Sequence, residues 1–313
     1  MELFFYKNPF LFRLFSWIEY LFFKCSLILA LPTRIVFHLS SPSGGKLDYG
    51  ELLAMTSHYP TAPKPDLNQV KRQQRKWSNR IARLAETFLC QKILETGSGR
   101  GFSALFLMEN KFNIIASDYT FTLLEEVKQA RLPFVVCNST ESLPFPNDSI
   151  DLVYSINAFE HFDPAEAAID EMLRILRPGG VLFMTFSPLY NSAFGLHANR
   201  RLGIPYSQFL FTADTIQRFL DDHHDELIKT YDAGSDTTKV GPSINGYSLR
   251  RYRELFRKRR DHLHILAFIE RTNLSGLNVI RRNPGLIKSQ VPDFAELVIE
   301  GIKIVGQKDL TES

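Results

Sequence analysis

The sequence lacks several features that would assign it to a well-marked protein class. Its 313 residues contain only three cysteines, and Cys25, Cys90 and Cys137 form neither a C-x-x-C pair nor a disulfide framework. A net charge of +3 gives no argument for a nucleic-acid partner, so none is expected. No secretory signal with a compact basic start and a small-residue cleavage site is recognisable. These absences favour a reducing compartment and predict a cytoplasmic protein.

The most informative stretch is Lys92–Gly101, which reads K-I-L-E-T-G-S-G-R-G. Glycine tolerates positive φ and lets the backbone approach a ligand closely, and an apolar, helix-like segment follows from Phe102. Strand, glycine loop and helix together predict a nucleotide-type site. A dinucleotide fingerprint would place its third glycine at position 102, so the spacing excludes a nicotinamide dehydrogenase. Glu95, two residues before the first glycine, is typical of sites that meet a positively charged ligand.

Three further patterns follow in order along the chain. Asn113–Ser117 predicts a second strand, and Asp118 stands at its C-terminal end. The run Asn138–Asp151 (N-S-T-E-S-L-P-F-P-N-D-S-I-D) leads into a fourth strand. Finally, Leu173–Phe183 (L-R-I-L-R-P-G-G-V-L-F) turns into a fifth strand. The order predicts alternating strands and helices.

These patterns resemble the class I S-adenosylmethionine (SAM) methyltransferases of the ubiquinone/menaquinone-type (methyltransferase type 11) branch, over about residues 80–187. The resemblance implies SAM as the cofactor. It also implies that Asp118 holds both ribose hydroxyls and that Asn138, where the family usually has Asp, meets the adenine amino group. The cofactor-binding residues predicted in this way are Glu95, Gly97, Ser98, Gly99, Gly101, Asp118, Tyr119, Asn138, Ser139, Thr140 and Asn157.

The resemblance implies an α/β fold. We expect a Rossmann-like, doubly wound and mostly parallel seven-stranded sheet, with an antiparallel last strand and helices on both faces. We divide the chain into a hydrophobic arm and linker (1–66), a SAM-binding core (67–190), a substrate loop and helical lid (191–275) and C-terminal strands (276–313).

Methyl transfer is an in-line displacement, so the protein must align the nucleophile and supply a base only if the nucleophile needs one. His197, on the predicted substrate loop, and His161, just past the fourth strand, are the candidate catalytic residues. A structural role for His161 is the alternative. Some relatives bind a divalent metal through E-x-x-E-H, but Asn157 replaces the first Glu here, so no metal is expected.

The N-terminal segment, residues 1–31, is crowded with aromatic side chains but interrupted by charges too often for a spanning helix. One interpretation is an interfacial anchor that lies on a membrane, at its inner face for a cytoplasmic protein. The other is a hydrophobic arm that covers the catalytic domain or a second subunit. The sequence leaves this choice, and the oligomeric state, open.

The flanking regions are predicted from composition and periodicity. The stretch from Leu39 to Asp66, rich in Ser, Pro and Gly, predicts a linker, and Ser248 to Asn273 predicts one long helix. Thr212 is the predicted N-cap of a helix that ends near Asp222. Leu277–Ile280 and Glu296–Val305 are predicted as the last two strands. We also predict an aromatic wall of the substrate site, formed by Tyr190, Phe194, His197, Tyr206, Phe209 and Phe211.

The leading functional hypothesis is an enzyme that methylates an O, N or C atom of a small hydrophobic or lipid-linked acceptor. An RNA or protein methyltransferase is a second hypothesis, against which the small net charge stands. A non-catalytic SAM-binding subunit is the third, against which the intact glycines and acids stand. The acceptor itself is not encoded in a recognisable pattern, because fold does not fix function.

Overall fold

The computed structural model describes residues 21, 25–63, 65–196, 201–223 and 244–310. Most of the N-terminal segment 1–31, and His197, therefore lie outside the described residues. The strands are β1 (Lys92–Thr96), β2 (Asn113–Asp118), β3 (Phe134–Val136), β4 (Ile150–Ile156), β5 (Leu176–Phe186), β6 (Leu263–Thr272) and β7 (Ile299–Lys308). The α-helices are α1 (Leu31–Leu39), α2 (Tyr49–Thr56), α3 (Leu67–Thr87), α4 (Phe102–Glu109), α5 (Glu125–Gln129), α6 (Ala165–Ile175), α7 (Ser207–Leu210), α8 (Ala213–Asp222), α9 (Leu249–Arg257), α10 (Leu277–Arg282), α11 (Pro284–Lys288) and α12 (Phe294–Val298).

All seven strands form one sheet in the order β3-β2-β1-β4-β5-β7-β6. Strands β1 to β5 pair in parallel, whereas β7 runs antiparallel to both β5 and β6. The strand order reverses beside β1, between β2 and β4, and open α/β sheets bind ligands at such a switch point. The predicted Rossmann-like sheet with an antiparallel last strand is confirmed.

Two hydrophobic cores cover the two faces of the sheet. On one face, α3 and α4 pack through Trp77, Phe102 and other apolar residues against side chains of β1, β2 and β4. On the other face, α6 and α9 pack through Met172 and Phe256 against β4, β5 and β7. The central parallel strands β4 and β5 are buried along almost their whole length, as is usual where helices cover both faces of a parallel sheet.

A third hydrophobic cluster joins helices that are far apart in sequence. It contains Phe37 of α1, Leu52 of α2, and residues of α7, α8, α10 and α12, and we call it the helical layer. Tyr206, Phe209 and Phe211 are buried in this cluster, and the Tyr206 hydroxyl donates to the Leu297 carbonyl (2.9 Å). These three residues are therefore packed core and not an aromatic wall of the cavity described below.

Three predictions about the flanking elements are wrong. Ser248–Asn273 is not one helix, because α9 ends at Arg257 and β6 begins at Leu263. Leu277–Ile280 lies in helix α10, so the sixth strand is β6. The predicted linker contains α2, whose N-cap Asp48 accepts from the Glu51 amide in a capping box. By contrast, the helix capped by Thr212 is confirmed as α8, and β7 lies close to the predicted last strand.

Among the described residues, no helix is long and apolar enough to cross a bilayer. The helix α1 nevertheless exposes a row of apolar side chains. Leu31, Ile35 and Leu39 of α1 recur at helical spacing with Ile28, which precedes the helix, and the four in chain order from Ile28 are 68%, 48%, 50% and 82% exposed. The opposite side of the helix places Phe37 in the helical layer.

Candidate cofactor site

One cavity of about 530 Å³ opens at the C-terminal edge of the sheet. It lies beside the ends of β1, β2, β3 and β4, where the strand order reverses. Nine residues that the sequence predicts for the cofactor or the chemistry line this cavity: Gly97, Gly99, Asp118, Tyr119, Asn138, Ser139, Thr140, Asn157 and His161. The fold thus brings together side chains that are spread over 65 positions of the chain, from 97 to 161.

The three glycines of the loop after β1 serve different purposes. All have positive φ, at 71° for Gly97, 51° for Gly99 and 79° for Gly101. A Cβ at Gly97 would lie 2.3 Å from Ala158 Cβ, and one at Gly101 would lie 2.5 Å from Leu123 Cδ2. A Cβ at Gly99 would meet nothing within 4 Å. Two glycines therefore permit close packing of the loop, whereas Gly99 leaves space on the cavity side.

Asp118 ends β2 directly beside this loop. Its Oδ2 atom accepts from the Gly99 amide (2.8 Å), which ties the carboxylate to the loop, and the side chain also lines the cavity. The buried hydroxyl Ser98 Oγ has no hydrogen-bond partner in the described part of the chain. The open space at Gly99 and the carboxylate fit a bound nucleoside, whose hydroxyls can both donate and accept hydrogen bonds. Ser98 and Gly101, which the sequence also predicts for the cofactor, are not among the residues that line the cavity.

Asn138 lies on the cavity wall in a local turn. Its side-chain oxygen accepts from the amide (3.1 Å) and the hydroxyl (2.9 Å) of Thr140, and its amide donates to Glu141 (3.0 Å). The acceptor atom that was predicted to meet adenine is therefore already engaged in this turn. An Asx turn of this kind holds the wall in place and does not need a ligand.

Glu95 is not on the cavity wall, so the structure does not place it against a ligand as the sequence suggested. Its carboxyl is 3% exposed beneath the loop. Burial raises its pKa to about 8, although hydrogen bonds from Tyr154, the Ala104 amide and Ser103 act in the opposite direction. Glu95 thus supports the glycine loop and the first turn of α4 from below.

Asn157 and His161 follow β4 and line the far side of the cavity. Asn157 has φ of 49° and its amide donates to the Thr185 carbonyl (2.8 Å), so the chain turns sharply there. His161 ends a short 3-10 helix, Phe159–His161, and its side chain is exposed. Within the described ranges, no group of three or more His, Cys, Asp or Glu side chains is placed to hold a metal ion.

Cys137, Ala158 and Phe162 also line the cavity, but the sequence did not single them out. Each lies just after or near the end of a strand, beside a residue that was predicted. Ala158 is constrained by its contact with Gly97, a close approach that cannot be inferred without the strand register. Their position at or near a strand end is the feature of the sequence from which these residues could have been predicted.

Comparison with known proteins gives a consistent result. Residues 94–184 match a family model described as "Methyltransferase domain". The chain is 31% identical over 105 residues to a malonyl-[acyl-carrier protein] O-methyltransferase from Halorhodospira halophila, covering 31% of this chain and 36% of that protein. It is 28% identical over 178 residues to a demethylmenaquinone methyltransferase from Renibacterium salmoninarum, covering 51% of this chain and 74% of that protein.

A second demethylmenaquinone methyltransferase, from Beutenbergia cavernae, is 33% identical over 94 residues, which are 29% of this chain and 39% of that protein. The chain thus spans less than half the length of two of these three relatives. The similarity concerns the central segment that carries β1 to β5.

Alanine substitutions should separate the roles of the loop glycines. Gly101→Ala should lower the free energy of unfolding by about 2–4 kcal/mol, because it combines positive φ with a severe overlap at Leu123. Gly99→Ala should lower the free energy of unfolding by only about 1–2 kcal/mol, from backbone strain alone, because its Cβ meets open space. The main effect of this Cβ should be to occupy space in the cavity. Urea denaturation measures both values. Equal destabilisation by the two variants would contradict this division of roles.

Replacing Glu95 by Gln should change how stability depends on pH. The folded-state pKa of about 8 lies above the ordinary value of 4.5, so the unfolded chain loses this proton first. The group therefore lowers the free energy of unfolding by up to about 1.4 kcal/mol per pH unit as pH rises from 4.5 to about 8. Glu95→Gln should reduce the slope between pH 5.5 and 8 by about half, because the pKa of Glu160 is also raised to about 8 and its contribution stays.

Urea denaturation at four pH values across this window measures the slope. The exposed Glu86 of α3 offers a matched control, and Glu86→Gln should keep the wild-type slope. A Glu95→Gln slope identical to that of the wild type would show that Glu95 is not the buried acid responsible.

Proposed function

Because residues 94–184 form a class I SAM-dependent methyltransferase domain, we propose that the protein moves a methyl group from SAM to a small hydrophobic or lipid-linked acceptor. The observation that carries the proposal is the joint position of the glycine loop and Asp118 at the cavity. The loop leaves open space at Gly99, and the Asp118 carboxylate stands at the end of the adjacent strand. A carboxylate in this position suits the two ribose hydroxyls of the cofactor.

SAM supplies an activated methyl group on a sulfonium, so the protein's task is to bind, orient and exclude water. The loop residues Gly97 and Gly99 fix the side of the cavity nearest β1, and Asn157 and His161 fix the side nearest β4. We assign His161 to the acceptor side, where its imidazole can accept a proton if the acceptor atom carries one. His197 remains a second candidate for this role.

The acceptor class is inferred from two weaker observations. Two relatives act, by their names, on a menaquinone precursor, and a third acts on a malonyl group carried by a protein. The apolar row on α1 and the aromatic segment that precedes it are also suited to a hydrophobic surface. Together they favour a hydrophobic or carrier-linked acceptor over RNA.

We further propose that the N-terminal segment 1–31 and the apolar row of α1 contact a membrane surface. Arg34 and His38 lie on the same helix and are exposed beside this row. An exposed apolar face with a flanking arginine is typical of helices that lie in the interface of anionic membranes.

Asp118→Ala should weaken the binding of SAM and of its demethylated product, S-adenosylhomocysteine, by about 1.5–3 kcal/mol. This is the scale of hydrogen bonds to a charged group. Calorimetric titration measures it, and Asp214→Ala, an exposed acid in the first turn of α8, is the matched control. Wild-type affinity in the Asp118 variant would refute the ribose assignment.

Radiolabelled methyl transfer should distinguish the acceptor classes. With SAM carrying a labelled methyl group, label should enter the organic-solvent extract of a cell lysate and not its RNA or protein fractions. Label found mainly in RNA or protein would reverse the choice. Binding of SAM without transfer to any fraction would favour a non-catalytic subunit.

The triple variant Leu31→Ser, Ile35→Ser and Leu39→Ser should bind vesicles less well than the wild type. Each change removes an exposed apolar side chain from the row, and burial of apolar surface contributes about 25 cal/mol per Å². Co-sedimentation with phosphatidylglycerol/phosphatidylcholine vesicles measures binding. The control triple variant Leu53→Ser, Leu67→Ser and Leu89→Ser changes exposed leucines outside the row. Equal loss in both variants, or no wild-type binding, would support the covering-arm interpretation.

A further inference from the structure

A second polar site lies next to the cofactor cavity and is not explained by cofactor binding. It contains Glu160, which is 1% exposed and whose carboxyl oxygens have no side-chain hydrogen-bond partner in the described part of the chain, although the backbone amides of Glu160 and Ser187 act on this carboxyl. It also contains Arg271, whose Nε and Nη2 atoms are buried and equally without a partner there. Buried polar groups are nearly always satisfied, so two such residues close together need an explanation.

The topology places Glu160 and Arg271 at the edge of the sheet where the cofactor cavity opens. Glu160 belongs to the 3-10 helix after β4, between Phe159 and the cavity residue His161. Arg271 is the second-last residue of β6, a strand that runs parallel to β5 because both pair antiparallel with β7. Both residues therefore lie at the same edge of the sheet as the cofactor cavity, on the side away from the glycine loop.

Ser187, the first residue after β5, lies near both Arg271 and Glu160. A Cβ at Gly301 would lie 2.6 Å from Arg271 Nη2 and 2.7 Å from Ser187 Cβ, so the guanidinium passes directly over Gly301 beside Ser187. The Ser187 amide is also close enough to Glu160 to lower the pKa of its carboxyl. The absence of a side chain at Gly301 is thus what lets Arg271 reach this position.

The environment of Glu160 favours its neutral form. Burial raises its pKa to about 8, and the charge of Arg271 and two backbone amides offset this only in part. A carboxyl that holds its proton at neutral pH is a hydrogen-bond donor. The site therefore presents a donor hydroxyl and the unpartnered N–H groups of a guanidinium, a combination that suits an oxyanion.

We infer that Glu160 and Arg271 bind a carboxylate oxyanion of the methyl acceptor and hold it beside the cofactor. The inference rests on the proposed function and deepens it by naming the chemical class of the acceptor. Buried donors left unpaired cost free energy, and a ligand that pairs with them recovers this cost. An uncharged analogue of the same shape cannot pair equally well, so the site discriminates by charge.

The test uses benzoate and benzamide, which have the same shape but differ in charge. The full-length protein is first saturated with S-adenosylhomocysteine and then titrated calorimetrically with each compound. Benzoate should bind at least tenfold more tightly than benzamide. Arg271→Gln should abolish this preference, whereas Arg253→Gln, a change of an arginine paired with Glu270, should retain it.

Variants of Glu160 test whether its protonated carboxyl donates a hydrogen bond to the bound carboxylate. Glu160→Gln keeps a donor and should keep the preference for benzoate, whereas Glu160→Ala should weaken benzoate binding several-fold. The affinity for S-adenosylhomocysteine reports folding, and it should change by less than twofold in each variant. Arg271→Lys keeps the charge and should retain part of the preference.

The outcomes separate the two levels of the proposal. Failure of the wild type to bind S-adenosylhomocysteine would overturn the proposed function, and this inference with it. If the wild type binds that product but shows no preference for benzoate over benzamide, the oxyanion site is refuted and the proposed function stands. A preference that survives Arg271→Gln would likewise refute the role of Arg271.

Discussion

The site depends on one close approach, between the glycine loop after β1 and the start of the turn after β4. Gly97 sits so near Ala158 that no side chain fits between them, and the loop must adopt positive φ to reach this position. The contact joins the loops that follow β1 and β4, two neighbouring strands beside the point where the strand order reverses. Because the loop is fixed there, its amide at Gly99 meets Asp118, and the cavity acquires walls from four strands.

Two buried carboxyls flank this contact, and the difference between them is informative. Burial raises the pKa of both Glu95 and Glu160 to about 8. Glu95 accepts hydrogen bonds from Tyr154 and from groups of α4, and only its Oε2 atom has no partner among the described residues. Neither oxygen of Glu160 has a side-chain partner in the described ranges, and as hydrogen-bond donors only the backbone amides of Glu160 and Ser187 act on its carboxyl. The first acid is therefore a structural support, whereas the second is arranged for a group that comes from outside.

The sequence predicted the central α/β core well because its turns carry strong local signals. Glycines at Gly97, Gly99 and Gly101 mark the end of β1, and the run Pro178-Gly179-Gly180 lies near the start of β5, without reference to tertiary contacts. The predictions for the flanking elements are wrong because such local signals are missing there. No glycine or proline separates α9 from β6, so helical periodicity alone predicts a single helix across this boundary. The short apolar run at Leu277 fits strand and helix alike, and only packing in the helical layer decides between them.

The roles of individual side chains were harder to predict than their neighbourhood. The sequence predicts that Asp118, Asn157 and His161 lie at one edge of the sheet, because the parallel strands that carry or precede them end at that edge. It could not show that Glu95 points beneath the loop, since that depends on which face of β1 each side chain occupies. It also gives no sign of Arg271, whose guanidinium lies beside Ser187 because β7 inserts between β5 and β6 with Gly301 at the crossing. Contacts of this kind are set by strand order, and strand order is a property of the whole sheet.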